Sequence, residues 1–200
     1  MDKPVKKLVM TGIIVLYFAL LVILVWGPTI IMALANYRYG DNDYLYARNL
    51  YGKLNAVFPS SPYAGHNIGL CLYKLGKYRE ARAKLEQALI KYSRQTAGRA
   101  DRVNQDKARG IFHYHLGNAI FKSVPPKGGK PGEAVKAYQE ALAQYKKALL
   151  ANPGDFEAKY NYELTLVRLG QYQPPEEEEP EEQYLNQIYP QEQPFQGKDW

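Results

Sequence analysis

Hydrophobic residues run from Leu8 to Trp26 without one charge, and apolar character continues more loosely to Ala35. Nineteen helical residues span about 28 Å, close to the thickness of a bilayer's hydrocarbon core, so the run predicts a transmembrane helix. Lys3, Lys6 and Lys7 precede it. Positive charge stays on the cytoplasmic side, so a single-pass protein of the cell membrane is expected, with its N-terminus inside and the rest outside the cytoplasm. The run exceeds the roughly 7–15 apolar residues of a signal peptide, which favours an uncleaved signal anchor. Cleavage after Ala33-Leu34-Ala35, a small-residue site, is the rival reading.

Beyond this run the pattern turns to helical stripes. Ala64, Ile68, Cys71, Leu72 and Leu75 fall on one face, and Tyr78, Ala81, Leu85 and Ala88 on one face of a second helix. Ser61-Pro62 starts the first helix and Gly76 ends it. Gly69 is expected to face Ala81 and Ala88, where small side chains let two helices approach. Tyr44, Ala47 and Tyr51 precede Tyr78, Ala81 and Leu85 by 34 residues each. "HLGNAIFK" at His115–Lys122 repeats "NIGLCLYK" at Asn67–Lys74 after 48 residues, so 14 are extra, within 93–110. A second insert, 123–132, precedes a second helix expected from Gly132 to Ala151. Asp155–Gly170 opens a fourth unit. The only sequence available for the first helix of repeat one is about Ile31–Tyr39, directly continuous with the membrane run. Gly27-Pro28 is expected to kink that junction.

The 34-residue period, the "NIG" with its glycine and "LGKYREA" resemble the tetratricopeptide repeat (TPR) family, over about Ile31 to Tyr172. The resemblance implies an all-α fold: a transmembrane helix continuing into a short superhelix of about three repeats and a polar capping helix. The domains expected are 1–30 for the cytoplasmic N-terminus and anchor, 31–172 for the solenoid and 173–200 for an acidic tail. The resemblance also implies a concave groove for a partner protein, lined by Tyr63, His66, Asn67, Leu70, Tyr73 and Lys74 in repeat two. In repeat three it implies Tyr114, Asn118, Phe121 and Lys122, and in the last helix Tyr160, Asn161 and Arg168. Aromatics, amides and a few cations suit an extended or helical segment bearing apolar and acidic residues. A chaperone-type carboxylate clamp is not expected. Asn36 and Asn67 hold its amide positions, but Met32, Ile111 and His115 replace its cations. "ALLANPGDFEAKYNYELTL" is similar to the final repeat of membrane-anchored TPR proteins of bacterial Bat-type aerotolerance clusters. The function so implied is a membrane-anchored scaffold in assembly or maintenance of a membrane or envelope complex. Two alternatives stand beside it: an assembly factor or accessory subunit of a pilus, surface filament or secretion complex, and an accessory subunit of a membrane enzyme complex.

Charge adds one division. The net +6 separates into +2 for 1–35, +11 for 36–172 and −7 for 173–200. The basic body suits an acidic protein segment, and nucleic acid is not expected. The Pro-rich tail is expected to be disordered in isolation, and its "YLNQIYP" makes it a candidate ligand of the body, against the reading of a tail that stays solvated. The chemistry of an enzyme is not legible. His113 and His115 diverge by about 200° on a helix and cannot pair on a metal. "GGKPGE" lacks phosphate-loop spacing. The lone Cys71 lies on an apolar stripe. No catalytic residue, cofactor or metal is expected.

Overall fold

The computed structural model describes residues 3–98, 102–125 and 131–172. The tail and the centres of both inserts therefore lie outside the described residues. Those described form seven α-helices and no strand: α1 (Lys3–Gly40), α2 (Tyr44–Val57), α3 (Pro62–Lys74), α4 (Tyr78–Thr96), α5 (Arg102–Ser123), α6 (Pro131–Ala151) and α7 (Phe156–Gly170). Packing divides the chain between Lys91 and Tyr92, inside α4.

The expected continuity of membrane run and first repeat helix holds without interruption. α1 is one helix of 38 residues with Pro28 inside it. Its portion from Lys7 on is long and apolar enough to cross a membrane. Leu8, Ile13, Leu16, Phe18, Val22 and Trp26 are among the large apolar side chains exposed along it. Past Trp26 the character changes to one-sided burial. Ala35 is buried with Ala47, Leu50, Tyr51 and Leu54 of α2 and with Ala64 and Cys71 of α3.

In this first unit the turns follow local chemistry. The Asp43 carboxylate accepts from the Tyr46 amide at the start of α2, satisfying a donor the helix cannot. Gly76, at φ +73°, supplies the left-handed residue after α3. The close approach expected at Gly69 is present, with a different partner. A Cβ there would lie 2.6 Å from Leu85 Cγ and 3.5 Å from the Ala81 carbonyl, whereas Ala88 faces Gly65 instead. The helical stagger places Gly65, one turn earlier in α3, against Ala88. Burial pushes the Cys71 thiol up to about 11, which keeps it protonated and inert.

The second unit packs α5 on α6 and α6 on α7. Its glycine contact repeats the first unit's: a Cβ on Gly117 would lie 2.7 Å from the buried Tyr145 ring. The second helix of repeat three begins at Pro131 and ends at Ala151, one residue from the expected start. Asp155 caps α7 by accepting from the Ala158 amide at 2.9 Å. The outer face of α7 departs from the expected polar cap. Phe156, Tyr160 and Val167 are exposed along it, because no further helix among the described residues covers this side.

Candidate functional site

Two adjoining cavities open in the first unit beside the continuation of α1. The larger, about 470 Å³, is lined by Pro28, Thr29, Met32, Ala33 and Asn36 of α1, Leu54 and Phe58, and Ser61 and Ala64. Pro28, Met32 and Asn36 are spaced by four and share one helix face. The smaller, about 200 Å³, is lined by Asn36, Tyr39, Tyr51, Asn67 and Leu70. Asn36 belongs to both. Its side-chain oxygen accepts from the buried Tyr51 hydroxyl at 2.7 Å, and Asn67 adds a hydrogen bond to the same tyrosine. Burial pushes the Tyr51 hydroxyl up to about 12, so it remains a donor at all ordinary pH. The arrangement is an apolar trough with a fixed amide at one end, suited to an apolar side chain flanked by main-chain polar groups.

Of the six first-unit residues expected in the groove, Asn67 and Leu70 line the smaller cavity. Tyr63 and Lys74 are exposed elsewhere on α3. Tyr73 is half-buried, edge-on to Tyr78 at 5.3 Å. His66 is only 6% exposed, so its ring lies in the core. Burial lowers its pKa to about 4 although its Nδ1 lies 3.4 Å from Asn67 Oδ1. The expectation missed Pro28, Thr29, Ala33, Leu54 and Phe58. The signal for the first three was the four-residue spacing through Pro28, Met32 and Asn36, masked by the apolar run they continue.

The second unit gathers Tyr114, Asn118 and Asn161 and adds Tyr145. Asn118 Oδ1 accepts from the Tyr145 hydroxyl and from Asn161 Nδ2, both at 2.8 Å. The Tyr114 hydroxyl donates to Glu157 at 2.9 Å and is pushed up to about 12, chiefly by burial. Phe121 packs on Tyr138 at 5.5 Å, beside Val124 and Ala134, so it serves the core. Lys122, Tyr160 and Arg168 are exposed. The expected single strip joining Tyr73 to Tyr114, Asn118 and Lys122 places its first member in one unit and the rest in the other. Among the described residues, no group of three or more His, Cys, Asp or Glu side chains could hold a metal.

Solved structures share this helical arrangement. The first TPR of Spaghetti (RPAP3), bound to the HSP90 peptide SRMEEVD, matches with a TM-score of 0.54 at 18% identity, over 72% of this chain and 93% of that one. The first TPR domain of human RPAP3 gives 0.55 at 18% identity, over 72% and 94%. The Sgt2 TPR domain from Aspergillus fumigatus gives 0.55 at 18% identity, over 76% and 87%. No family model and no curated protein matches the chain. At this identity the likeness establishes the fold: the chain has the TPR fold.

Proposed function

We propose that the chain is a membrane-anchored scaffold that holds a segment of a partner protein, with α1 crossing the membrane and the TPR fold outside the cytoplasm. One observation carries this reading: α1 is both the apolar span and a wall of the larger cavity. The anchor then has a use beyond tethering. If Leu8–Trp26 fills the bilayer, Met32 and Asn36 stand about 9 and 15 Å beyond its edge, so a partner seated there is held at the membrane surface. The neighbour solved with an HSP90 peptide supports peptide binding as a use of the fold. That peptide is acidic, whereas Met32 here contributes an apolar wall, so an apolar anchor is the feature that this site selects. The body's +11 charge favours acids around that anchor. Assembly or maintenance of a membrane or envelope complex is the role this placement suits, and the likeness of 148–166 to Bat-cluster proteins points the same way. The protein then works as scaffold, not as enzyme, with domains at 1–30, 31–172 and 173–200.

Substituted-cysteine labelling in membranes tests the anchor. Lys53→Cys should react with an impermeant maleimide from outside, and Lys3→Cys only after the membrane is opened. The reverse pattern, or a mature chain beginning at Asn36, would overturn it.

A further inference from the structure

The last described helix presents an apolar stripe whose cover is not among the described residues. Phe156, Tyr160 and Val167 are 81%, 65% and 62% exposed. Their i, i+4, i+11 spacing puts them within about 40° of one another on α7, with Glu163 between them. A terminal helix of a repeat array ordinarily turns a polar face to water, so a stripe of this kind marks a contact surface. We propose that the chain's own C-terminal segment, 173–200, docks on this stripe, with Tyr184, Leu185, Ile188 and Tyr189 supplying the apolar contact.

Three observations select this occupant. Its tether begins at the end of α7, and from Tyr172 to Tyr184 twelve residues reach about 40 Å when extended. α7, with 15 residues, is about 22 Å long. Charge agrees as well. Residues 92–172 carry 13 basic and 7 acidic side chains, net +6, against −7 for the tail. The cations also stand where the tail leaves. Arg168 acts on Tyr138, Phe121 packs on the same Tyr138, and exposed Lys122 and Lys136 adjoin these contacts in sequence. The glutamates at 176–179 and 181–182 follow within ten residues of Tyr172. Acids near the exit and apolar residues farther along thus match cations near the end of α7 and apolar residues farther back.

The full-length chain in detergent, carrying Glu163→Cys and Asn186→Cys, tests the docking under mild oxidation. Both substitutions leave the aromatic and aliphatic contacts intact, and Cys71 is buried. An intrachain disulfide should form at least about tenfold faster than in an Ala143→Cys, Asn186→Cys control, since docking raises the local concentration of the tail cysteine only at the stripe. Replacing the six glutamates with glutamine should remove most of that advantage. Equal rates in the two pairs, or disulfides formed only between molecules, would overturn the proposal. Neither result depends on the scaffold reading, which needs no tail.

Discussion

The two units carry the same polar joint in two settings. In the first, Tyr51 ties Asn36 to Asn67. In the second, Tyr145 ties Asn118, which also accepts from Asn161. The asparagine and tyrosine are 15 residues apart in the first and 27 in the second, yet the hydrogen bonds are 2.7 and 2.8 Å. The extra chain passes through the Pro/Gly-rich insert and leaves the joint intact, as expected where loop length costs little. At the matching positions of repeat two stand Leu70 and Leu85. A buried tyrosine hydroxyl needs an acceptor and a leucine does not, so the two positions change together. The settings differ in what the amide faces. Asn36 lines both cavities, whereas the Asn118 oxygen already receives two donors. The first joint is therefore the better placed to meet a partner, and the second is the more completely structural.

The glycines under these joints give the largest expected effects. Gly69→Leu drives a side chain into Leu85 and Gly117→Leu into the Tyr145 ring. Each should cost about 1–3 kcal/mol or more by overpacking, read as a drop in melting temperature of the full-length chain in detergent. Gly52 has nothing within 4 Å of its would-be Cβ, so Gly52→Ala should hold or raise stability by up to about 1 kcal/mol. Equal behaviour of the three would show that the helix register is wrong.

Acidification should weaken both units, the first the more clearly. Burial lowers the pKa of His66 to about 4 and that of His113 in the same direction. The unfolded chain then binds protons that the folded one excludes. This stability is complete above the ordinary histidine pKa of about 6.5 and is lost as pH falls toward 4. For His66 the whole effect is at most about 3 kcal/mol. Denaturant midpoints at pH 7.5 and 5 should differ less in His66→Gln than in the parent. An unchanged difference would place the titrating group elsewhere.

Loss of one hydroxyl is the smallest change. Tyr51→Phe and Tyr145→Phe should each cost about 0.5–1.5 kcal/mol. Asn118 keeps its bond from Asn161, while Tyr51→Phe also removes the bond to Asn67, so the first-unit variant should lose more. Hydrogen exchange in α2 and α6 would separate the two losses, and a larger loss at Tyr145 would reverse the comparison.

The helices were legible because their signals are local. The 34-residue period placed Tyr44, Ala47 and Tyr51, and Gly69 marked a close helix pair, although the side chain it meets is Leu85 and not Ala88. The continuity of α1 was legible because no breaker other than the Gly27-Pro28 pair stands between Trp26 and Tyr39, and a proline loses only one helical hydrogen bond when its neighbours can satisfy the rest. The site was less legible. Repeat positions bring His66 to the inner side of α3 but do not say that the ring is buried there. They place Asn118 and Asn161 without disclosing that a tyrosine from the intervening helix joins them. The trough along Pro28, Met32 and Asn36 was hidden for a different reason: apolar residues there extend a membrane pattern, and only the packing of α2 and α3 gives them a second neighbour.

A partner held in the trough as proposed would be open to capture there by crosslinking. A photoreactive amino acid placed at Met32 or Phe58, on the trough, or at Lys53, on the exposed side of α2, can be activated in intact membranes containing the otherwise unaltered chain. The same protein adduct should form from Met32 and Phe58 and none from Lys53, and it should be lost when Asn36→Leu removes the amide end of the trough but kept in Tyr51→Phe, which breaks the same hydrogen bond and leaves the amide in place. Crosslinks that appear equally from Lys53, or that survive Asn36→Leu undiminished, would contradict the proposal.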